Sequence, residues 1–307
     1  MDNITLISHI YNEEFLLPFW LEHHSKIFKN GIIIDYLSDD ASVSIIKKLC
    51  PTWKVIQTIN TIDGNPNFDP GLVDEEVMEI EKNINNYKIC LNTTEFLFIN
   101  NDEFKFETNS INCYAIKVFT GCCTNDLFIP KNCNELFENM DLIESLNKTR
   151  GSRFFHNDKN LDYHKGRHDL TINYEDSDKS NTLLVNNFIS LFQHNDNIKK
   201  LNGFKFNNKD NSENYNINYE YLDVSNLFIV HIANYNINNF FIERKLQIQK
   251  NIPLLAKING FGYQHILKSR EEAIESILSF KKKIIDSSDN NKLELIKQFM
   301  NKTHNSI

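Results

Sequence analysis

The stretch ITLISHIYNEE (residues 4–14) runs from an apolar half into a polar end, and GIIIDYLSDD (residues 31–40) repeats that pattern. The apolar half of each stretch predicts a buried strand. Between them, apolar residues recur at helical spacing over residues 15–27. Pro18 lacks an N–H and is tolerated in the first turn of a helix, so this helix should begin after about Glu14. The pattern predicts a strand–helix–strand unit.

The same alternation continues to about residue 91. Further elements are predicted as a helix over 43–49, a strand over 53–56, a helix carrying the apolar stripe Val73, Val77, Ile80 and Ile84, and a strand over 88–91. Strands that alternate with helices are typical of a parallel sheet with right-handed crossovers. We therefore expect the α/β class, with a mainly parallel central sheet flanked by helices.

Beyond about residue 100 the pattern loosens into short strands separated by Asn-rich loops. The strand candidates cover residues 114–119, 127–130, 183–185 and 227–231, and amphipathic helices are predicted over 271–285 and 292–300. The sequence shows no repeat and no long polar linker. We expect one domain over residues 1–260 and a C-terminal helical appendix over residues 261–307 that packs on it.

Composition argues against several classes of partner. The net charge of −8 and the pI of about 5.7 disfavour nucleic acid, because phosphate neutralisation needs a basic surface. No apolar run approaches the roughly 20 residues of a membrane span, and the first residues lack the pattern of a signal peptide. The six cysteines form no Cys-x-x-Cys pair, which is typical of reduced, packed thiols. We expect a cytoplasmic protein.

Polar residues follow three of the predicted strands. They are Asn12 and Glu13, then Asp39 and Asp40, then the segment 92–95. Ligands of an open α/β sheet bind outside the carboxyl ends of its strands, so these residues are expected to border a nucleotide crevice. Each cluster also has a purely structural explanation, since Glu13 suits the start of a helix and Asp40 suits a helix cap.

Several segments together resemble the family-2-like glycosyltransferases. TLISHIYNEEFLLPFWLEHH (5–24) is similar to the opening strand and helix of that family, and IDYLSDDASVSI (34–45) to its second strand and acidic turn. YKICLNTTEFLF (87–98) stands where the family has a strand and an Asp-x-Asp motif, closest to the subgroup whose motif ends Asp-Glu-Phe. YHKGRHD (163–169) and FIVHIANYNINNFFIERK (228–245) add to the resemblance.

This resemblance implies a GT-A fold and a hexosyltransferase that moves a sugar from a nucleotide-sugar donor, UDP-linked by expectation, to a glycan or protein acceptor. The nucleotide is expected to lie across Asn12, Glu13, Asp39 and Asp40. The diphosphate is expected near Glu95.

The motif itself departs from the family. There, paired aspartates hold Mn²⁺ or Mg²⁺, but the matching positions here are the neutral Asn92 and Thr94. Hard cations prefer carboxylate oxygens, so Glu95 is the expected metal ligand, with Asn92, Thr94, His231 and the later acid Asp102 as further candidates. Either the metal site is rebuilt in this way, or fixed cations stabilise the diphosphate instead.

The candidates for such fixed cations are Arg153, Lys165, Arg167, His168 and His231. Arg167 and His168 are expected to contact the donor diphosphate, although a basic surface turn explains the same residues. An inverting transferase also needs a carboxylate that deprotonates the acceptor hydroxyl. Asp169 is preferred among the acidic residues nearby because it adjoins Arg167 and His168.

Two other functions remain open at this point. One is a non-catalytic nucleotide-sugar or glycan-binding protein on the same scaffold, which the loss of the aspartate pair favours. The other is a nucleotidyltransferase, which should carry a Gly-rich loop and a lysine after the first strand, and the sequence has neither. A Walker loop, Gly-x-Gly-x-x-Gly, Gly-x-Ser-x-Gly and a metalloprotease pair are likewise missing from the sequence.

Overall fold

The computed structural model describes the fold over most of the chain. The described residues are 4–99, 113–126, 128–143, 152–157, 161–164, 167, 169–176, 179–185, 201–202, 218–221, 227–232, 239–258, 269–286, 288, 290–291, 293–294 and 296–298. Within these ranges the protein is a mixed α/β structure whose central sheet is rich in parallel pairs.

The N-terminal part builds one wing of the sheet. Its strands are β1 (Ile4–Ile10), β2 (Asn30–Asp35), β3 (Lys54–Gln57) and β6 (Tyr87–Cys90), and its helices are α1 (Leu17–His24), α2 (Ser42–Leu49) and α3 (Pro70–Lys82). A small hairpin, β4 (Thr61–Ile62) and β5 (Asn65–Pro66), lies between β3 and α3. The strand order is β6-β1-β2-β3, and all of these pairs are parallel.

The rest of the chain adds strands that pair with the sheet in both parallel and antiparallel directions. The strands are β7 (Glu95–Ile99), β8 (Cys113–Cys122), β9 (Leu142–Ile143), β10 (Ser152–His156), β14 (Leu201–Asn202), β15 (Asn218–Tyr221) and β16 (Leu227–His231). Strand β10 joins β6 and β8 by antiparallel pairing, and β16 pairs antiparallel with β7 and parallel with β8. A separate antiparallel sheet contains β11 (Leu161–His164), β12 (Asp169–Asp176) and β13 (Lys179–Val185).

Four helices complete the described part: α4 (Cys133–Glu138), α5 (Asn239–Lys250), α6 (Leu254–Ile258) and α7 (Arg270–Ile285). Helix α7 packs against α5 and the end of β8, where the buried ammonium of Lys281 donates to the carbonyl oxygen of Cys123 at 2.7 Å and bonds to Asp126. The boundary proposed at residue 260 stays a prediction. No described helix has the length and apolarity that a membrane crossing requires.

Most sequence predictions in the N-terminal part are confirmed to within a few residues. Pro18 lies in the first turn of α1, and Asp69 caps α3 by accepting from the backbone N–H of Gly71 at 2.9 Å. The strand predicted at residues 127–130 is wrong, because residues 128–130 form no strand. There the apolar side chain of Phe128 packs on the core from a loop that leads to α4, so its burial does not require a strand.

A close approach between β2 and β3 fixes the outer face of the sheet. A Cβ atom at Gly31 would lie 2.2 Å from the indole of Trp53, so only glycine fits beside this ring. Trp53 in turn packs edge-on against Trp20 of α1, with ring centroids 6.1 Å apart. The glycine that opens β2 therefore lets the helix, the ring and the sheet form one core.

Two histidines of α1 hold the free edge of β7. The ring Nε2 of His23 donates to the carbonyl oxygen of Leu97 at 2.6 Å, and the N–H of Leu97 donates to Nε2 of His24 at 3.2 Å. His24 Nδ1 donates to the carbonyl oxygen of Trp20 at 2.9 Å. Because Nε2 of His24 must accept, this ring has to be neutral.

We predict that this requirement makes stability depend on pH. Burial, followed by repulsion from His23, lowers the pKa of His24 well below 6.5. A depressed histidine pKa gives stability that is complete above the unfolded value and is lost as the pH falls below about 6.5. The free energy of unfolding should fall by up to about 1.4 kcal/mol per pH unit through this group. His24→Gln should show a slope smaller by this amount in urea denaturation between pH 8 and 5.5. Equal slopes in both proteins would contradict the assignment.

Candidate active site

The ends of β1 and β2 meet in a crevice where two of the predicted residues bond to each other. Asn12 donates through Nδ2 to Asp39 Oδ1 at 2.6 Å, and the backbone N–H of Asp39 donates to Asn12 Oδ1 at 3.0 Å. Asn12 adopts a left-handed backbone with φ 50°, which asparagine tolerates. The carboxylate of Asp39 is exposed to solvent in the crevice. The structure thus brings together the residues predicted from two different strand ends.

The neighbouring acids Asp40 and Glu14 accept hydrogen bonds from backbone N–H groups. Asp40 accepts from the N–H of Glu14 at 2.9 Å and from that of Ser42 at 2.8 Å, and Glu14 accepts from the N–H of Ala41 at 3.1 Å. The N-cap position of α2 is Ala41, which has no side-chain cap, and Asp40 just before it accepts from the first N–H of the helix, close to the structural explanation open at the sequence level. Both acids still line the crevice.

Glu13 is buried beside the crevice and is held by a residue that sequence reasoning missed. Its side chain is 3% exposed and its Oε1 accepts from Nη2 of Arg244 on α5. The second oxygen, Oε2, is buried without a hydrogen-bond partner among the described residues. A buried carboxylate is stabilised by a paired cation, but the sequence shows neither the burial of Glu13 nor its arginine partner.

These residues surround a cavity of about 310 Å³. The lining consists of Asn12, Glu13, Glu14, Phe15, Leu16, Asp39, Asp40, Glu243, Arg244 and Gln247. The cavity therefore lies between the carboxyl ends of β1 and β2 and helix α5. Its volume is at the lower end of the range for small-molecule sites.

Glu95 makes a two-pronged ion pair in the interior. Arg153 of β10 donates through Nε to Oε2 at 2.9 Å and through Nη2 to Oε1 at 2.7 Å, and both side chains are at most 2% exposed. Glu95 Oε2 also accepts from the backbone N–H of Asn92 at 2.9 Å. Both carboxylate oxygens are thus engaged by hydrogen-bond donors.

Arg167 is inserted between α3 and the segment 92–95. It donates through Nη1 to Asp74 Oδ1 at 2.8 Å and through Nη2 to Asn92 Oδ1 at 2.7 Å, and it is 3% exposed. Its backbone is left-handed, with φ 66°, which is uncommon for arginine. Arg167 of the predicted cationic loop therefore reaches the strand end that carries the motif.

The four described metal candidates do not fit a divalent cation in this arrangement. Glu95 and Asn92 present their oxygens to guanidinium groups, Thr94 is buried, and His231 is buried opposite Glu95 in the pairing of β16 with β7. Among the described residues, no group of three or more His, Cys, Asp or Glu side chains is placed to hold a metal ion.

His9 lies at the carboxyl end of β1, and nearby arginines affect its pKa. Burial, followed by the positive charges of Arg167, Arg244 and Arg153, holds the pKa of His9 well below 6.5, and Glu95 opposes them. The ring is therefore neutral at pH 7. Its Nδ1 is buried and has no hydrogen-bond partner in the described part of the chain. Sequence reasoning did not select His9.

Three predicted site residues cannot be placed from their side chains. Asp102 and His168 lie outside the described residues, and Asp169 is described only through its backbone, where it begins β12. The roles assigned to these residues stay predictions.

Comparison with known proteins finds similarity to solved structures of TarS from S. aureus. The fragment 1–349 is 13% identical, over 82% of this chain and 65% of that chain, with a TM-score of 0.35. The fragment in complex with UDP is 18% identical, over 43% of this chain and 38% of that chain, with a TM-score of 0.29. The fragment in complex with UDP-GlcNAc is 18% identical, over 43% of this chain and 37% of that chain, with a TM-score of 0.27.

The matched region spans less than two thirds of the length of each of these solved TarS chains. No protein-family profile and no curated protein matches the sequence.

We predict that Glu95→Gln destabilises the protein without any added metal. Neutralising one member of a buried ion pair leaves Arg153 uncompensated, which costs about 3–5 kcal/mol. The measurement is urea denaturation in EDTA. The control is Glu79→Gln, since Glu79 forms an exposed pair with Lys82 whose side chains are 69% and 55% exposed, and its loss should cost about 1 kcal/mol or less. If Glu95→Gln kept its stability in EDTA but lost Mn²⁺ binding, Glu95 would be a metal ligand.

Proposed function

We propose that this protein is a glycosyltransferase of the GT-A type that transfers a sugar from a UDP-linked donor to a glycan or protein acceptor. The proposal rests on the sequence resemblance described above and on the crevice at the carboxyl ends of β1 and β2. The observation that carries it is the reciprocal bonding of Asn12 and Asp39 beside the cavity. Ligands of open α/β sheets bind at such strand ends.

In this proposal the acidic crevice binds the uncharged half of the donor. Carboxylates accept hydrogen bonds, so Asp39 is suited to ribose hydroxyls or to an N–H of the base. Glu13, Asp40 and Asn12 form the adjoining wall, and the diphosphate extends toward Arg167. His168 is proposed to act beside Arg167.

The transfer step needs a base and a charge-stabilising group. An acceptor hydroxyl oxygen bonds to the anomeric carbon, the bond from that carbon to the diphosphate oxygen breaks, and UDP leaves with the electron pair. We propose Asp169 as the carboxylate that takes the hydroxyl proton. Positively charged side chains near the diphosphate stabilise the leaving group.

A specific observation favours a second function, that of a non-catalytic nucleotide-sugar-binding protein. Glu95, which is the acid left in the motif segment 92–95, is committed to Arg153 and is buried. A protein that binds the donor without turning it over would keep the crevice and would not need an available carboxylate in the motif segment. An assay for released UDP from UDP-hexoses with water or oligosaccharide acceptors separates the two, since only the enzyme releases UDP beyond the uncatalysed rate.

The proposed donor site is tested by thermal shift with UDP and UDP-hexoses. A ligand that binds the native protein raises its melting temperature by mass action. Asp39→Ala should weaken UDP binding by roughly 1–3 kcal/mol through the lost hydrogen bond. The control is Glu138→Ala, an exposed acid on α4, which should bind UDP as the wild type does. Unchanged UDP affinity in a folded Asp39→Ala protein would reject this placement of the nucleotide.

A further inference from the structure

We infer that the site holds the donor diphosphate with arginine guanidinium groups and binds it without a divalent cation. This inference rests on the proposed function. Its starting point is the misfit described above, in which the oxygens of Asn92 and Glu95 already accept from Arg167 and Arg153. The segment 92–95 therefore binds two permanent cations at the strand end where the resemblance implies a metal.

The topology brings the arginines to one edge of the sheet. Strands β1 and β6 are parallel, with Ile7 opposite Cys90, so His9 and Asn92 both lie two residues further along at the carboxyl end. Asn92 holds Arg167 at this edge.

Two more arginines reach the same edge from other elements. Strand β10 runs antiparallel to β6, with His156 opposite Lys88, which places Arg153 toward that end of β6. Arg244 of α5 reaches the edge by its ion pair with Glu13, and Glu13 follows His9 by four positions. Each arginine thus comes from a different part of the chain.

Three arginines lie near His9, and each is paired with a carboxylate. Arg153, Arg167 and Arg244 have the acidic partners Glu95, Asp74 and Glu13. Burial lowers the pKa of His9 well below 6.5, the charges of the three guanidinium groups lower it further, and Glu95 opposes them. The ring of His9 is therefore neutral, and the donors for a diphosphate at this edge are guanidinium N–H groups and not a protonated histidine.

Arg244 is the arginine best placed to touch the ligand. Its side chain is 21% exposed and lines the cavity, whereas Arg153 and Arg167 are buried and bond to Glu95 and Asn92 in the segment 92–95. A guanidinium binds phosphate oxygens through several N–H groups and adds directional bonds as well as charge. Arg244 therefore joins the nucleoside cavity to the edge that carries the three arginines.

The decisive experiment measures UDP affinity by isothermal titration calorimetry, once in EDTA and once with Mn²⁺ in excess. We expect the two dissociation constants to agree within error. Binding of UDP that appears only with Mn²⁺ would overturn the inference and leave the proposed function standing. Failure of UDP and of UDP-hexoses to bind under both conditions would instead reject the proposed function.

Arg244→Gln tests the arginine itself. UDP affinity in EDTA should fall by about tenfold or more, as expected for a lost hydrogen bond from a charged group, while the affinity for uridine should stay unchanged. The control is Lys82→Gln, which removes one positive charge from an exposed pair with Glu79, away from the cavity lining, and should leave both affinities unchanged. Equal losses for UDP and uridine would overturn the role of Arg244. If Arg244→Gln does not fold, the EDTA comparison on the wild type decides.

Discussion

The carboxylate of Glu95 and the guanidinium of Arg153 meet in the interior, out of contact with water. Glu95 also receives the backbone N–H of Asn92, and its carbonyl oxygen accepts from the indole of Trp20 at 2.9 Å. One residue thereby ties the first helix, the strand end after β6 and the strand β10 together. Burying two charges is costly unless every oxygen is satisfied, and here the bidentate geometry and the backbone donor satisfy both oxygens. The position of the segment 92–95 against β10 follows from this pair.

The sequence was informative where physical signals are local. Apolar periodicity and Pro18 predicted elements of the N-terminal wing, because helix-start chemistry acts within a few residues. Polar residues at successive strand ends predicted that Asn12 and Asp39 would border one crevice, and there they bond to each other. That prediction needed only the rule that parallel strands end on the same edge of a sheet.

What the sequence did not provide are the partners of buried charges. Arg244 follows Glu13 by 231 positions and Arg153 follows Glu95 by 58, and no pattern along the chain connects such residues. A motif comparison presents Glu95 as an open carboxylate, whereas the fold presents it as an acid already neutralised. The chemistry of a carboxylate depends on what faces it, and that is a property of the tertiary structure.

The two histidines of α1 affect how readily the strand β7 could pair with another protein molecule. Strand β7 pairs with β16 on one side, and His23 and His24 occupy the peptide groups of Leu97 that point the other way. A strand edge with unpaired peptide groups is a template for other chains, and rings bonded to the N–H and the carbonyl oxygen of Leu97 remove these two groups from such pairing. The strand Glu95–Ile99 is in this way protected at its central residue against extension by a second molecule.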